Sequence, residues 1–502
     1  MKLIARDYDL EAIVLRAIMN DRDCIELGVK EGDRVRIDST KSYVVTANKT
    51  DTLVKRGEIL LPKAVMEKIG AKDGMEVNVV YSPSPESVKS IRKKMDGQRL
   101  SKEEINAVIE DILEARLSMI EVSAWLTSLY INGMDVDEIA DMTVAMVNTG
   151  DRVQFDRTPV FDFHSVGGVP GNKVTPIVVS IVAAAGLMLP KTSSRAISSA
   201  CGTSDFVETF CDVEMDTTKL KAISEEVGGV LAWGGSMNLA PVDDMLIKVE
   251  YPLNINPRAQ MLASIMSKKM AIGATHLLMD IPTGPGTKVK TIEEARAYVR
   301  DFMELGNRLG ITVECAITYG DQPVGNAVGP GLEAKECIRI LEGNGHPSSV
   351  VEKACDLAGI ILEMGGIPHG ADEARRLLDS GEALKKFREI VAAQGGKPDI
   401  SSKDIKVGKY TLDVVSTKSG YVHTIKNKDI VQIARAAGAP NDKGAGLLVL
   451  KKKGQRVEKG DVLLKIYGDV ESKCQRAKDL AIKLVPIEIE GMLIEKVTRK
   501  IV

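Results

Sequence analysis

Two polar, glycine-bearing segments on either side of one apolar run restrict the possible folds of this chain more than any other feature. The first is His164-Ser165-Val166-Gly167-Gly168-Val169-Pro170-Gly171-Asn172-Lys173-Val174-Thr175. The second is Ser193-Ser194-Arg195-Ala196-Ile197-Ser198-Ser199-Ala200-Cys201-Gly202-Thr203-Ser204-Asp205-Phe206-Val207-Glu208. Between them, Ile177 to Leu189 is apolar apart from Ser180 and is bounded by Pro176 and Pro190. Val160 to Phe163 reads as a strand, Thr175 to Gly186 as an apolar helix, and Met188-Leu189 as a second short strand. Strand, loop, helix, strand, loop is the order of an α/β unit. Glycine lets the backbone turn and bring its N–H groups close to a ligand, hydroxyls add donors, and arginine adds charge. The pair of loops therefore predicts an oxyanion cradle, with phosphate as its ligand.

Bulk properties narrow the partners. With 67 basic against 70 acidic residues there is no global charge to attract nucleic acid or an anionic membrane. An aromatic content of 4% argues against a base-stacking surface for single strands. The 7 cysteines, at 24, 201, 211, 315, 337, 355 and 474, have no CxxC pairing or metal-ligand spacing, so reduced thiols and no bound metal are expected. The N-terminal MKLIARDYDLEAIV carries acids where a signal peptide is apolar, and the run from Ile177 falls short of the roughly 20 residues of a bilayer span. A soluble cytoplasmic protein follows as the expectation.

At 502 residues a multidomain α/β chain is expected. Gly28-Val29-Lys30-Glu31-Gly32-Asp33-Arg34-Val35-Arg36-Ile37 is echoed by Gly70-Ala71-Lys72-Asp73-Gly74-Met75-Glu76-Val77-Asn78-Val79, a turn leading into a strand each time. With a proline-started helix at Pro62-Lys63, residues 1–85 predict a small pseudo-symmetric β-barrel of the double-psi or AbrB-like kind, used for assembly. Ser82-Pro83-Ser84-Pro85 reads as its linker. Ser101, Ser118 and Asp135, each followed three residues later by glutamate, are N-caps of three amphipathic helices with Trp125 in their core. The catalytic core is placed at 86–345. Its helical lobe covers about 86–156 and 240–272, and its α/β lobe about 157–239 and 273–345. A C-terminal α+β domain is placed at 346–502. His276, His346, His369 and His423 read as structural, and Lys451-Lys452-Lys453 as a solvated turn.

The second polar segment matches almost position by position the signature of the thymidine phosphorylase family, also called pyrimidine nucleoside phosphorylases, with Cys201 the one misfit. The first resembles that family's glycine loop, and Asp321-Gln322-Pro323-Val324-Gly325-Asn326-Ala327-Val328-Gly329 and Gly420-Tyr421-Val422 extend the likeness over roughly residues 86–502. With its N-terminal barrel the whole chain is similar to the AMP-cleaving archaeal branch. The resemblance implies a helical lobe and a phosphate-binding α/β lobe, as in nucleoside phosphorylase II, that close on the substrate. It implies phosphate contacts at Ser165, Thr175, Ser193 and Thr203. It implies nucleotide contacts at Gly168, Ser194, Arg195, Ala196, Ile197, Ser198, Ser199, Thr203, Ser264, Lys268 and Lys288, with His164 a further ligand candidate.

Departures from the family pattern sharpen the substrate. The family's phosphate lysine is Phe163 here, with Lys173 as a candidate replacement, and its base-reading arginine falls near Val249. Lys288 stands where nucleoside enzymes carry an aromatic residue and would suit a 5′-phosphate. The substrates expected are phosphate and AMP, with CMP and UMP as possible additional nucleotides, and no cofactor. The products are a free base and ribose 1,5-bisphosphate. Asn256, in Leu253-Asn254-Ile255-Asn256-Pro257-Arg258, occupies the place of an aspartate general acid. An amide can hydrogen-bond a base but cannot protonate it at neutral pH. Either the natural enzyme works with the amide or an aspartate has been exchanged to slow turnover, the second being favoured. The family dimerises through its helical lobe, so a homodimer is expected, with the barrel driving a larger homo-oligomer. A pyrimidine nucleoside phosphorylase and a non-catalytic nucleotide-binding scaffold are the alternatives.

Overall fold

The computed structural model describes residues 1–8, 16–196 and 199–493. Its contacts divide the chain into two units, Met1–Gly150 with Ala240–Ser267, and Asp151–Leu239 with Lys268–Val502.

The first unit begins with a closed barrel of six strands in the order Lys2–Tyr8, Glu58–Pro62, Arg16–Asn20, Ser42–Thr50, Arg34–Asp38 and Glu76–Tyr81. Its two halves follow the sequence echo. Helix Asp21–Leu27 ends on Gly28 at φ 73° and helix Lys63–Ile69 on Gly70 at φ 66°, and each turn leads into a strand. Left-handed backbone at both helix ends is what glycine adopts without a Cβ penalty. Alternation then seats Val35 and Ile37 in one half, and Val77 and Val79 in the other, in the barrel core.

Beyond the linker come helices Ser87–Met95, Lys102–Leu113, Met119–Asn132 and Val136–Asn148, joined by Pro241–Leu253 and the first turns of Arg258–Ala271. All three expected capping boxes form, at Ser101, Ser118 and Asp135, and Trp125 is fully buried. An ion pair lies inside this bundle: Lys94 Nζ sits 2.9 Å from Glu138, both side chains 4% exposed. The same carboxylate accepts from the Leu100 and Asp135 N–H groups, at 2.8 and 3.0 Å.

The second unit is built on parallel strands. Thr312–Tyr319, His276–Thr283 and Phe161–Ser165 lie side by side, and a parallel bridge from Val160 to Met188 continues them to Leu189–Ser193 and Gly229–Trp233. Helix Thr175–Ala184 is buried almost all round, so its sequence shows no polar stripe. Phe161, Phe163 and Leu278 pack with it. Helices Ser348–Met364, Gly370–Asp379 and Glu382–Ala393 share that same core. The helical stretch after Pro347 therefore packs with the α/β lobe, although the sequence reading grouped it with the tail. The tail's own core begins near Tyr410, where antiparallel strands Tyr410–Val415, Gly446–Val449 and Val462–Gly468 and a second small sheet around Gly420–Ile425 enclose helices Asn427–Ala437 and Glu471–Leu484. Among the described residues no helix is long and apolar enough to cross a membrane.

Removing one partner of the Lys94–Glu138 pair strands a buried charge. Glu138→Ala should therefore cost the first unit about 3–5 kcal/mol. Denaturant unfolding of wild type and variant measures this, and the loss should exceed that of Glu114→Ala, an exposed carboxylate in the same bundle.

Candidate active site

The expected phosphate loops converge because of strand order. Along the chain the strands of the second unit follow as Phe161–Ser165, Leu189–Ser193, Gly229–Trp233, His276–Thr283 and Thr312–Tyr319. In space the first lies between the second and the fourth, so connections leave in opposite directions on its two sides. Such a switch point opens a crevice at the carboxyl ends of the strands. His164-Ser165 leads into the glycine loop there, and Thr283 leads into Gly284-Pro285-Gly286-Thr287-Lys288. Gly168, at φ 92°, lets the two loops touch: a Cβ on it would lie 2.6 Å from the Lys288 amide nitrogen. The structure thus brings Gly168 and Lys288 together. Ser165 Oγ accepts from Asn172 Nδ2 at 3.1 Å, and the buried Asn172 Oδ1 has no hydrogen-bond partner. Thr175 opens its helix, where the dipole favours an anion, and is itself buried.

The second loop leaves the neighbouring strand at Ser193, whose hydroxyl is buried without a hydrogen-bond partner. Its signature residues brace one another. Arg195 donates to both oxygens of Glu208 at 2.8 and 2.6 Å and to Glu214 at 3.0 Å, and lies 4.6 Å over the Trp233 ring. Those bonds hold the Glu208 carboxyl down at about 2 despite partial burial, with Lys443 helping from 2.7 Å. Asp205 Oδ2 accepts from the Ala196 N–H at 2.7 Å and the Gly202 N–H at 2.9 Å. A Cβ on Gly202 would meet the backbone of Ser194 and Ala196 at 2.6 Å. The Arg195 guanidinium is therefore committed to carboxylates, and the brace fixes the backbone from Ser194 to Ala196. Arg435 of the tail donates to the Ser199 carbonyl at 3.0 Å. Thr203 opens the short helix Thr203–Val207. Ile197 and Ser198 lie outside the described residues. Burial pushes the Cys201 thiol well up, which leaves it a packing residue.

Charge gathers around His164. Burial, and then Lys269, Lys191, Lys288 and Lys268 in that order, hold its imidazole well below the usual range, so it is neutral at pH 7. Sequence reading passed over three of the groups beside it. Asp162 is buried and takes Lys269 at 2.7 Å and Lys191 at 3.8 Å. Their signal was a charged residue inside an otherwise apolar strand or helix face, which is costly unless paired. The two family positions resolve simply. Phe163 is core, and Lys173 is buried against Glu336 at 2.7 Å and the Val324 carbonyl at 2.9 Å, a structural role. Nor is Lys452 a solvated turn. It donates to the Pro323 and Gly325 carbonyls at 2.6 and 2.7 Å, and burial together with Lys173 brings it down to about 7.

Asn256 and Ser264 belong to the first unit and the remaining described site residues to the second. Asn256 is exposed in the turn after helix Pro241–Leu253, with Nδ2 3.7 Å from Met261 Sδ. Ser264 Oγ donates to Asp243 Oδ2 at 2.8 Å, and Gln260 Nε2 to Oδ1 at 3.1 Å, so the buried Asp243 orients both. Val249 is buried and apolar. Lys268 follows Ser264 by one helical turn. Among the described residues no cluster of three or more His, Cys, Asp or Glu is placed to hold a metal ion.

Comparison with known proteins agrees with this architecture. Residues 88–150 match the glycosyl transferase family helical bundle domain, and 157–384 the glycosyl transferase family a/b domain. Residues 421–488 match the pyrimidine nucleoside phosphorylase C-terminal domain, and 4–93 the molydopterin dinucleotide binding domain. The chain is 48% identical over 500 residues to the AMP phosphorylase of Methanococcoides burtonii, covering 99% of each. It is 49% identical over 485 residues to AMP phosphorylase 1 of Archaeoglobus fulgidus, covering 96% of each. The chain belongs to the AMP phosphorylase family. It is a glycosyltransferase of the pentosyltransferase type. The anthranilate phosphoribosyltransferase of Thermus thermophilus shares the fold, with a TM-score of 0.53 at 20% identity over 61% of this chain and 99% of that one.

The Gly168 contact yields a test. Gly168→Ala forces either the glycine loop or the Lys288 loop to move, so kcat/KM should fall roughly 10- to 100-fold while the melting temperature changes little. Steady-state kinetics beside a thermal melt measures both.

Proposed function

We propose that this chain catalyses phosphorolysis of nucleoside 5′-monophosphates: AMP and phosphate give adenine and ribose 1,5-bisphosphate, with CMP and UMP also turned over. The observation that carries this reading is the convergence of two braced hydroxyl loops at one switch point, in a chain whose relatives are named AMP phosphorylases. Phosphate would be bound through Ser165, Thr175, Ser193 and Thr203. The nucleotide would be bound through Gly168, the backbone from Ser194 to Ser199, Ser264, Lys268 and Lys288. His164 would serve as a neutral hydrogen-bonding partner. A phosphate oxygen attacks the anomeric carbon as the glycosidic bond breaks, and the bonding electron pair leaves with the base, which must gain a proton. Asn256 can stabilise that base with a hydrogen bond but has no proton to give at neutral pH.

One observation keeps pyrimidine nucleosides in view as a second reading: the tail matches a pyrimidine nucleoside phosphorylase domain. The buried, apolar Val249 speaks for nucleotides instead. We also propose a homodimer through the helical lobe, because helix Met119–Asn132 leaves Ile120 81% and Ile131 71% exposed, with larger assembly through the barrel.

The test is base release with phosphate from AMP, CMP, UMP and uridine. Release from the nucleotides and none from uridine is expected; release from uridine alone supports the second reading, and none from any substrate, even with Asn256→Asp, supports a binding protein without turnover. Asn256→Asp should raise the AMP rate about tenfold or more by restoring a proton donor. Equal rates remove position 256 from the acid role.

A further inference from the structure

Two polar side chains of the first unit meet at one buried carboxylate. Asp243 stands in the first turn of helix Pro241–Leu253 and is fully buried. Helix Arg258–Ala271 brings Gln260 and Ser264 to it, one helical turn apart and on one face. Ser264 Oγ is 2.8 Å from Asp243 Oδ2, and Gln260 Nε2 is 3.1 Å from Oδ1. Gln260 is 1% exposed, and its Oε1 is buried with no hydrogen-bond partner among the described residues. A carboxylate at this depth is unfavourable unless it is bonded, and the helix N-terminus and these two donors offset its burial.

Simple donor and acceptor chemistry decides which way each bond runs. A carboxylate accepts and does not donate. Gln260 must therefore turn its amide nitrogen to Asp243, which leaves its carbonyl oxygen facing elsewhere. Ser264 must commit its one hydroxyl proton to Oδ2, and its oxygen keeps only lone pairs for any other partner. Ser264 is half-buried, so that oxygen can still meet a ligand. Toward a ligand it is an acceptor, and the group that fits it is a hydrogen-bond donor. A ligand acceptor in the same place would set lone pair against lone pair and leave both unbonded.

We infer that Asp243 is a positioning residue for base recognition: it fixes Ser264 as an acceptor, and Ser264 then selects a nucleotide whose base carries a donor at its edge. This rests on the phosphorolysis reading, in which Asn256 and Ser264, both of the first unit, meet the nucleotide. Asn256 is the base's partner in that reading, and Ser264 stands in the helix that follows it directly. Adenine joined to ribose has a single donor, its exocyclic amine. Cytosine also carries an amine, and uracil a ring N–H, so the same acceptor serves CMP and UMP. Purine riboside 5′-monophosphate, with hydrogen in place of the amine, has only ring-nitrogen acceptors at that edge, and Ser264 disfavours it.

The test measures nucleotide binding to the full-length protein by calorimetry without phosphate, so that no bond breaks and recognition alone is read. Wild type should hold AMP about tenfold or more tighter than purine riboside 5′-monophosphate. Ser264→Ala should weaken AMP toward the analogue and narrow that gap about threefold or more. Asp243→Ala frees the Ser264 hydroxyl to turn and donate to a ring nitrogen, so the analogue should gain on AMP by a similar factor. If Asp243→Ala shows no thermal transition, Asp243→Leu combined with Gln260→Met replaces it, because that pair removes the carboxylate together with the amide it would strand. A purely structural Asp243 would lower the melting temperature and leave the gap unchanged in the folded protein. Equal wild-type affinity for the two nucleotides overturns the inference while phosphorolysis stands. A gap that narrows by less than this in Ser264→Ala or in the folded Asp243 variant overturns it too. Wild-type protein that binds no AMP and releases no adenine overturns the phosphorolysis reading itself.

Discussion

The close approach of Gly168 to the backbone of Thr287 and Lys288 is the contact on which the second unit's site depends. Parallel strands place loops at their carboxyl ends, but a strand-order reversal is needed to spread two of those loops around a crevice. Here the reversal falls at Phe161–Ser165, between His276–Thr283 and Leu189–Ser193. Without a side chain at position 168, the glycine loop lies against its neighbour, and Ser165, Thr175 and Lys288 are placed around one short stretch of sheet edge. That geometry is set by backbone, so it survives changes of side chain that leave the glycine.

Two other devices act on the same edge. Arg195, Asp205, Gly202 and Glu208 brace the second loop's backbone from Ser194 to Ala196 and at Gly202, so those stretches are held in place before a ligand arrives. The lysines around His164 place positive charge at the same edge, where Lys191 and Lys269 both face the buried carboxylate of Asp162. Positioning and charge thus come from different residues.

Much of this was legible from the chain. The capping boxes at Ser101, Ser118 and Asp135 were readable because each is a local four-residue motif, and the barrel because its halves repeat. The glycine and hydroxyl loops could be found from composition and from their likeness to a family signature. What escaped was non-local. The carboxylate brace on Arg195 was not readable, because its partners Glu208 and Glu214 lie 13 and 19 residues further along the chain. Lys452 read as solvated because the carbonyls it caps, at Pro323 and Gly325, are far off in sequence. Lys191 drew no reading, because the carboxylate it faces, Asp162, and the Lys269 that shares it come from two other elements. The helices from Ser348 to Ala393 read as part of the tail because no local signal says which core an amphipathic face will meet.

The central claim is that phosphate, and not water, attacks the nucleotide at this sheet edge. Phosphorus NMR of a reaction with AMP tests it most directly. The claim predicts a new sugar 1-phosphate resonance that appears only when inorganic phosphate is supplied and grows in step with free adenine, as the inorganic phosphate signal declines. Adenine released with ribose 5-phosphate and no loss of inorganic phosphate would contradict it.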